Sequence, residues 1–298
     1  MKNKISIALG VALSAALACA MATPAFTQDT EVDQAELKRI MAEHPAWAVW
    51  LADPALARLT LAGPKMPGSN WRVADIRRPQ PARVETGKAC AAPPPGDAEV
   101  LFDGRDLSKL TGDKMDQWSV KNGELVAGGK TYNFIRSKAS YGDVQIHLEW
   151  KTPAQPNPPA NPQRRGNSGV FPMGLYELQI LDSDGADTYP DGMAGSIYSQ
   201  APPLVNATRP PGVWQCFDIV FRAPKFEGDK VVSPARMTAL LNGVLVQDDT
   251  VLIGATVHGK VGAYAPHAAE LPLAIQDHGN AEAQVAFRNI WVRRLPPR

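Results

Sequence analysis

The chain of 298 residues has only three cysteines, Cys19, Cys90 and Cys216. So few exclude a disulfide-stapled scaffold, and with no H-E-x-x-H and no paired C-x-x-C there is no zinc signature either. An excess of one charge is also lacking. Its 31 Lys and Arg stand against 30 Asp and Glu, for a net charge of +1. No basic stripe points to nucleic acid, and a strongly polyanionic substrate is not favoured. Aromatics make up 7% of the residues, few for a stacking lectin surface. Past the N-terminus no apolar run approaches the roughly 18 residues a membrane span needs. Internal repeats are absent.

Proline (27) and glycine (24) are plentiful, which suits many turns and little helix, and 44% hydrophobic content is enough for a globular core. The start reads as an export signal over residues 1–25. Lys2 and Lys4 precede an apolar run from Ile5 to Ala20, and Ala18-Cys-Ala20 and Thr23-Pro-Ala25 are small-x-small cleavage sites. The expected location is periplasmic or extracellular. Ala16-Leu-Ala-Cys19 is a poor lipoprotein acceptor, so Cys19 is expected to leave with the signal. Cys90 and Cys216 then remain, and an oxidising compartment permits one disulfide between them.

Residues 26–62 carry helical spacing in Val32, Leu37, Ile40 and Met41, with Trp47, Val49, Trp50 and Leu51 after Pro45. They form an arm that Trp47 and Trp50 are expected to anchor. Residues 63–97 are a proline-rich linker in which Asp75-Ile-Arg-Arg-Pro-Gln-Pro81 reads as a strap over the main domain. From residue 98 to 298 short strands alternate with turns. Asn122-Gly123 and Asn242-Gly243 are strong type I′ hairpin signals. In Val144-Gln-Ile-His-Leu-Glu-Trp150 the apolar residues point inward, which leaves His147 and Glu149 on the wetter face. With no βαβ rhythm, the pattern predicts an antiparallel β-sandwich.

The stretch Arg165-Gly-Asn-Ser-Gly-Val-Phe-Pro-Met-Gly-Leu-Tyr-Glu-Leu-Gln-Ile-Leu-Asp182 carries the chemistry. Glu177 and Gln179 share one strand face, and Leu178 and Ile180 share the other. Strict alternation puts Asp182 opposite Glu177, and a bulge near Ile180-Leu181 would return it. The bland reading is a polar outer face followed by an ordinary Asp-Ser-Asp-Gly turn. Asp182, Asp184, Asp187 and Asp191 permit a divalent cation such as calcium, though not in the EF-hand pattern, and no cofactor is otherwise expected.

Residues from about 98 to 296 resemble the bacterial 3-keto-disaccharide hydrolase domain. The matching pieces are Leu101-Phe-Asp-Gly104, Gly166-Asn-Ser-Gly-Val-Phe171, Tyr176-Glu-Leu-Gln-Ile-Leu-Asp-Ser183, Gly195-Ser-Ile-Tyr198, Pro211-Gly-Val-Trp-Gln215, Leu241-Asn-Gly-Val244, Gln276-Asp-His-Gly279 and Phe287-Arg-Asn-Ile-Trp291. The resemblance implies an exported, all-β, concanavalin A-like jelly roll with a sugar groove on its concave sheet. It also implies a carbohydrate partner, a glucosyl unit already oxidised at C3. A weaker echo of E-x-D-x-x-E glucanases fits Glu177-Leu-Gln179-Ile-Leu-Asp182, with Gln and Asp where that motif has Asp and Glu.

A C3 ketone acidifies the C2–H, so a base, an oxyanion donor and an acid suffice to eliminate the aglycone before water adds. On this reading Glu177 is the base or a sugar acceptor, Asp182 its acid partner, and His278 the other candidate base. Arg165, Asn167, Gln179, Tyr198, Gln276 and Arg288 are expected to bind substrate, with Arg288 also a partner for Asp182 or Glu177. Two rivals remain open, a non-catalytic carbohydrate-binding jelly roll and a conventional glucan hydrolase.

Overall fold

The computed structural model describes residues 32–87, 90, 93–185, 187–281 and 284–296. The expected leader and Cys19 lie outside the described residues. Three short helices come first, α1 (Gln34–Glu43), α2 (Pro45–Leu51) and α3 (Pro54–Ala62). Asp33 and Asp53 start α1 and α3 by accepting backbone N–H bonds from the first turn, where orphan donors need a partner. Ile40, Trp47, Leu51, Ala57 and Leu61 bury against Ile76 of the strap, giving the arm a small core of its own. No helix among the described residues is long and apolar enough to cross a membrane.

The strands follow. They are β1 (Glu99–Phe102), β2 (Leu110–Thr111), β3 (Ser119–Lys121), β4 (Glu124–Val126), β5 (Asn133–Tyr141) and β6 (Val144–Lys151). Next come β7 (Ser168–Phe171), β8 (Leu178–Ile180), β9 (Gln215–Arg222), β10 (Lys225–Glu227) and β11 (Lys230–Ser233). β12 (Arg236–Leu241), β13 (Val244–Val251), β14 (Leu271–Asp277) and β15 (Ala286–Arg294) complete the order. One sheet runs β13-β12-β9-β6-β15-β4-β3, with β1 also on β15, and the other runs β2-β5-β14-β7-β8. Every strand pairing is antiparallel. The architecture is the expected two-sheet jelly-roll sandwich preceded by short helices.

The alternation explains the core. Ile146, Leu148, Trp150, Phe217, Ile219, Phe221, Phe287 and Val292 of the larger sheet meet Ile135, Val170, Leu178, Ile180, Leu273 and Ile275 of the smaller one. Asn122 and Asn242 both take positive φ (53° and 55°) ahead of glycines at 78° and 82°, as I′ turns joining β3–β4 and β12–β13 require.

One expectation fails on the far face of the larger sheet. His147 and Glu149 are not solvated, being 0% and 2% exposed. His147 holds Asp218 at 2.7 Å and stacks on Trp291, while Glu149 takes Arg288 at 2.7 Å and Asn289. Cross-strand partners on β9 and β15 satisfy these groups, so burial does not strand them. The linker docks on this side as well. Val84 N donates to Asn206 O, Asn206 N donates to Ala82 O, and Arg209 donates to Thr86 Oγ1 and to Cys90 Sγ.

Candidate functional site

The five-stranded sheet turns its second face away from the core. Ile275 is paired with Ile135 and Val170, and Val170 with Leu178, all core residues. Their neighbours Gln276, Phe134, Gly169 and Gln179 therefore face outward. Segment Gly195–Tyr198 lies along β8. Gln179 N donates to Ser196 O, and Tyr198 N donates to Glu177 O. This places Tyr198 directly beside Glu177.

Glu177 is 5% exposed, and its carboxyl has no hydrogen-bond partner or cation among the described residues. Burial alone pushes its pKa well above the usual 4.5, which favours the protonated acid. Its position depends on Gly169 across the strand pair, where an added Cβ would stand 2.5 Å from Glu177 Oε1. The Gly-Asn-Ser-Gly run therefore earns its second glycine by making room for the carboxyl.

A polar groove surrounds it. Tyr189 Oη and Tyr198 Oη are 2.7 Å apart, and Tyr198 Oη reaches His258 Nδ1 at 2.9 Å. Gln276 Nε2 donates to Tyr132 Oη at 3.1 Å, and the Tyr132 ring meets His278 edge-on. Tyr132, His258 and His278 are open to solvent, yet protein surrounds each enough to shift its pKa, as on a concave surface. Tyr132 is pushed up to about 12 by burial, with the Glu177 charge adding to it. Burial also pushes Tyr198 well above its usual range, so both hydroxyls remain neutral donors.

The histidines move the other way. Burial lowers His258, and the nearby charge of His278 adds to this. Burial also lowers His278, assisted by Arg164 and opposed by Asn280 and Asp277. His278 Nδ1 lies 2.7 Å from Asn280 Oδ1. An amide oxygen only accepts, so the proton sits on Nδ1 and Nε2 keeps its lone pair. The Asp-His-Gly-Asn turn is capped by Asp277, not His278: Asp277 accepts from Gly279 N and Gly129 N.

Several groups in this region are buried with no partner among the described residues, namely Gln179 Oε1, Gln276 Oε1, Asp191 Oδ1 and Ser199 Oγ. An unmet buried acceptor costs on the order of 1–3 kcal/mol. Three of the four are acceptor oxygens of amides or a carboxylate, a set that hydroxyl groups would satisfy. Asp191 is 0% exposed, its pKa is raised to about 6 by burial, and its other oxygen accepts from Ala74 N of the linker.

Among the residues singled out from sequence, Glu177, Gln179, Tyr198, Gln276 and His278 come together here. Asp182 does not join them. Ile180 and Leu181 both enter the core, so alternation does break there. Asp182 then emerges next to Arg165 and Asp184, whose charges act on it, and no interaction links it to Glu177. Arg165 spends its Nε on Pro159 O, and Asn167 Nδ2 donates to Gln163 O, so both order the loop before β7. Arg288 belongs to the other sheet, where it pairs with Glu149 and covers the Trp214 ring at 4.0 Å. The acidic run disperses. Asp184 pairs with Arg83, Asp191 faces Ala74, and no group of three or more His, Cys, Asp or Glu converges among the described residues. Cys90 and Cys216 are free thiols that both approach Asn242 Oδ1, at 3.6 and 3.8 Å. Tyr132, Tyr189 and His258 escaped sequence reading, since they come from loops and a neighbouring turn with no shared spacing.

Residues 97–293 match the model of the 3-keto-alpha-glucoside-1,2-lyase-like domain. A Parabacteroides distasonis ATCC 8503 protein provisionally described as a glycosyl hydrolase is 38% identical, over 67% of this chain and 84% of its own, with a TM-score of 0.63. Two further structures of the same description and organism are 20% and 21% identical, covering 67% and 66% of this chain and 94% and 99% of their own, with TM-scores of 0.47 and 0.48. No curated protein matches.

Proposed function

Because the chain belongs to the 3-keto-alpha-glucoside-1,2-lyase-like domain family, we propose that it cleaves 3-keto-glucosides by elimination, with His278 as base and Glu177 as acid. The observation that carries this is a pair of titratable groups in one groove with opposite pKa shifts, Glu177 upward and His278 downward. The upward shift favours the protonated carboxyl and the downward shift the neutral imidazole, the pairing acid–base chemistry needs. This reading gives Glu177 the acid role and leaves Asp182 outside the chemistry, since a carboxyl that favours its proton is available to donate it.

His278 Nε2 takes the proton from C2, and the C–H electrons form the C2–C3 double bond of an enediolate. Charge collects on O3, where the neutral Tyr132 and Tyr198 hydroxyls are the donors at hand. The enediolate then expels the C1 substituent. Glu177 gives its proton to the departing oxygen, leaving a C1–C2 double bond conjugated with the ketone. Water adds at C1, and a proton returns to C2. Gln179 and Gln276 orient ring hydroxyls through their unpartnered oxygens. Export of the mature chain to the periplasm or beyond remains part of this proposal.

The test offers residues 26–298 a 3-keto-glucoside beside its unoxidised parent and follows aglycone release. Release from the keto sugar alone supports elimination. Release from the parent would refute it in favour of ordinary glycosidase chemistry, and release from neither would leave a sugar-binding module.

A further inference from the structure

The domain match begins at residue 97, so anything α2 and α3 contribute lies outside it. A cleft of about 750 Å3 opens between these helices and the Pro- and Asn-rich loop after β6. Val49 and Leu56 line the helix side, and Pro159, Gln155, Asn157 and Arg164 the loop side. Val49 is 65% exposed, an apolar side chain standing open in the cleft.

Both walls belong to elements that border the candidate site. Leu59, one turn after Leu56 on α3, packs with Tyr189 and Tyr198. On the opposite wall Arg164 is close enough to His278 for its charge to act there. Gln163, beside it, donates to Thr188 Oγ1 and Gly192 O, and Gly192 O also receives Gln179 Nε2. Arg164 thus belongs both to the lining of the cleft and to the surroundings of His278.

We propose that the cleft binds the leaving sugar of a disaccharide substrate, so that the arm sets leaving-group specificity; this rests on the reading of Glu177 and His278 given above. Aliphatic side chains together with the Gln155, Asn157 and Asn161 amides, the Asp53 carboxyl and the Arg164 guanidinium suit a pyranose, which has apolar faces and hydroxyls around its edge. Among the described residues that line the cleft, none is an aromatic side chain that would favour a planar phenol. A methyl leaving group would be too short to meet these amides.

The test compares wild type, Gln155→Ala/Asn157→Ala and Ala160→Leu, which narrows the loop wall. Kinetics are measured on a 3-keto-disaccharide and on the matching methyl 3-keto-glucoside. Saturation-transfer NMR with the unoxidised disaccharide reads binding without turnover. At about one hydrogen bond per amide, the double variant should raise KM for the keto-disaccharide roughly tenfold or more. The methyl substrate should stay within about twofold, and NMR transfer to the leaving sugar should fall in both variants. Equal effects on both substrates, or unchanged NMR transfer, would overturn the assignment. Absent turnover by wild type with variant-sensitive NMR transfer would refute the elimination reading while supporting the cleft as a sugar site.

Discussion

Replacing Gly169 by alanine tests the site at its tightest point. The new Cβ would lie 2.5 Å from Glu177 Oε1, 3.0 Å from Glu177 Cγ and 2.7 Å from Phe171 Cε2, whereas ordinary contact starts at 3.4 Å. Gly169 has no positive φ, so alanine adds no backbone strain and the effect is purely steric. Relieving the closest contact moves the carboxyl by about 0.9 Å, the gap between 2.5 and 3.4 Å. A displacement of that size is worth on the order of 100-fold in rate, and overpacking costs about 1–3 kcal/mol of stability.

The assay is kcat for aglycone release from a 3-keto-glucoside, alongside thermal unfolding and circular dichroism. Gly169→Ala should remain folded and lose about 100-fold in kcat. Adding Glu177→Asp shortens the acid by one methylene and should recover part of the loss, although Glu177→Asp alone is deleterious. A Gly169→Ala enzyme within threefold of wild type would refute the placement of the Glu177 carboxyl over this glycine.

Four further outcomes follow from the same geometry. The pH profile of kcat/KM should be bell-shaped. Its acid limb lies below pH 6.5, because His278 is lowered and must be neutral, and its alkaline limb lies above pH 4.5, because Glu177 is raised and must be protonated; Glu177→Gln should abolish the alkaline limb and cost roughly 100-fold or more. Arg288→Met should leave kcat unchanged while lowering stability by about 1–3 kcal/mol, read by urea titration, because it weakens the hold on a buried Glu149 in the other sheet. Cys90 is lowered to about 7 by its contact with Cys216 and by Arg209, so glutathione disulfide should join Cys90 to Cys216 with loss of two titratable thiols; closing that long loop stabilises by at most roughly 5 kcal/mol, and two persistent thiols would count against it. Leu59→Ala should shift the alkaline limb to lower pH, whereas a purely structural role for the arm would leave that limb in place.

The fold was legible because its signals are local. Alternation over Val144–Trp150 and the two Asn-Gly turns define strands and hairpins without knowledge of the partner strand. Half of the site was legible for the same reason, since Glu177 and Gln179 share a face by parity alone. The failures are all non-local. His147 and Glu149 are polar by type, but Asp218, Arg288 and Asn289 from neighbouring strands bury them. Asp182 has the right spacing, yet its actual neighbours are Arg165 from the loop before β7 and Asp184 from the turn after β8. His258 stands 81 positions from Glu177 with no motif around it; only the fold brings it to Tyr198.

The arm gives the acid its physical setting. A carboxyl on the open face of a sheet would be hydrated and would titrate in the ordinary range. Glu177 departs from that range through burial and nothing else. Part of that enclosure comes from Tyr189 and Tyr198, and these pack against Leu59, Met66, Val73 and Ala74 from outside the matched family region. The contact is fixed at a polar point too, where the Ala74 N–H meets the buried Asp191 carboxylate at 2.9 Å. On the proposed reading, the same helices that line the cleft for the leaving sugar thus help exclude water from the group that protonates it. Specificity and acidity are then not separable functions of this arm, since loosening α3 would widen the cleft and rehydrate Glu177 together.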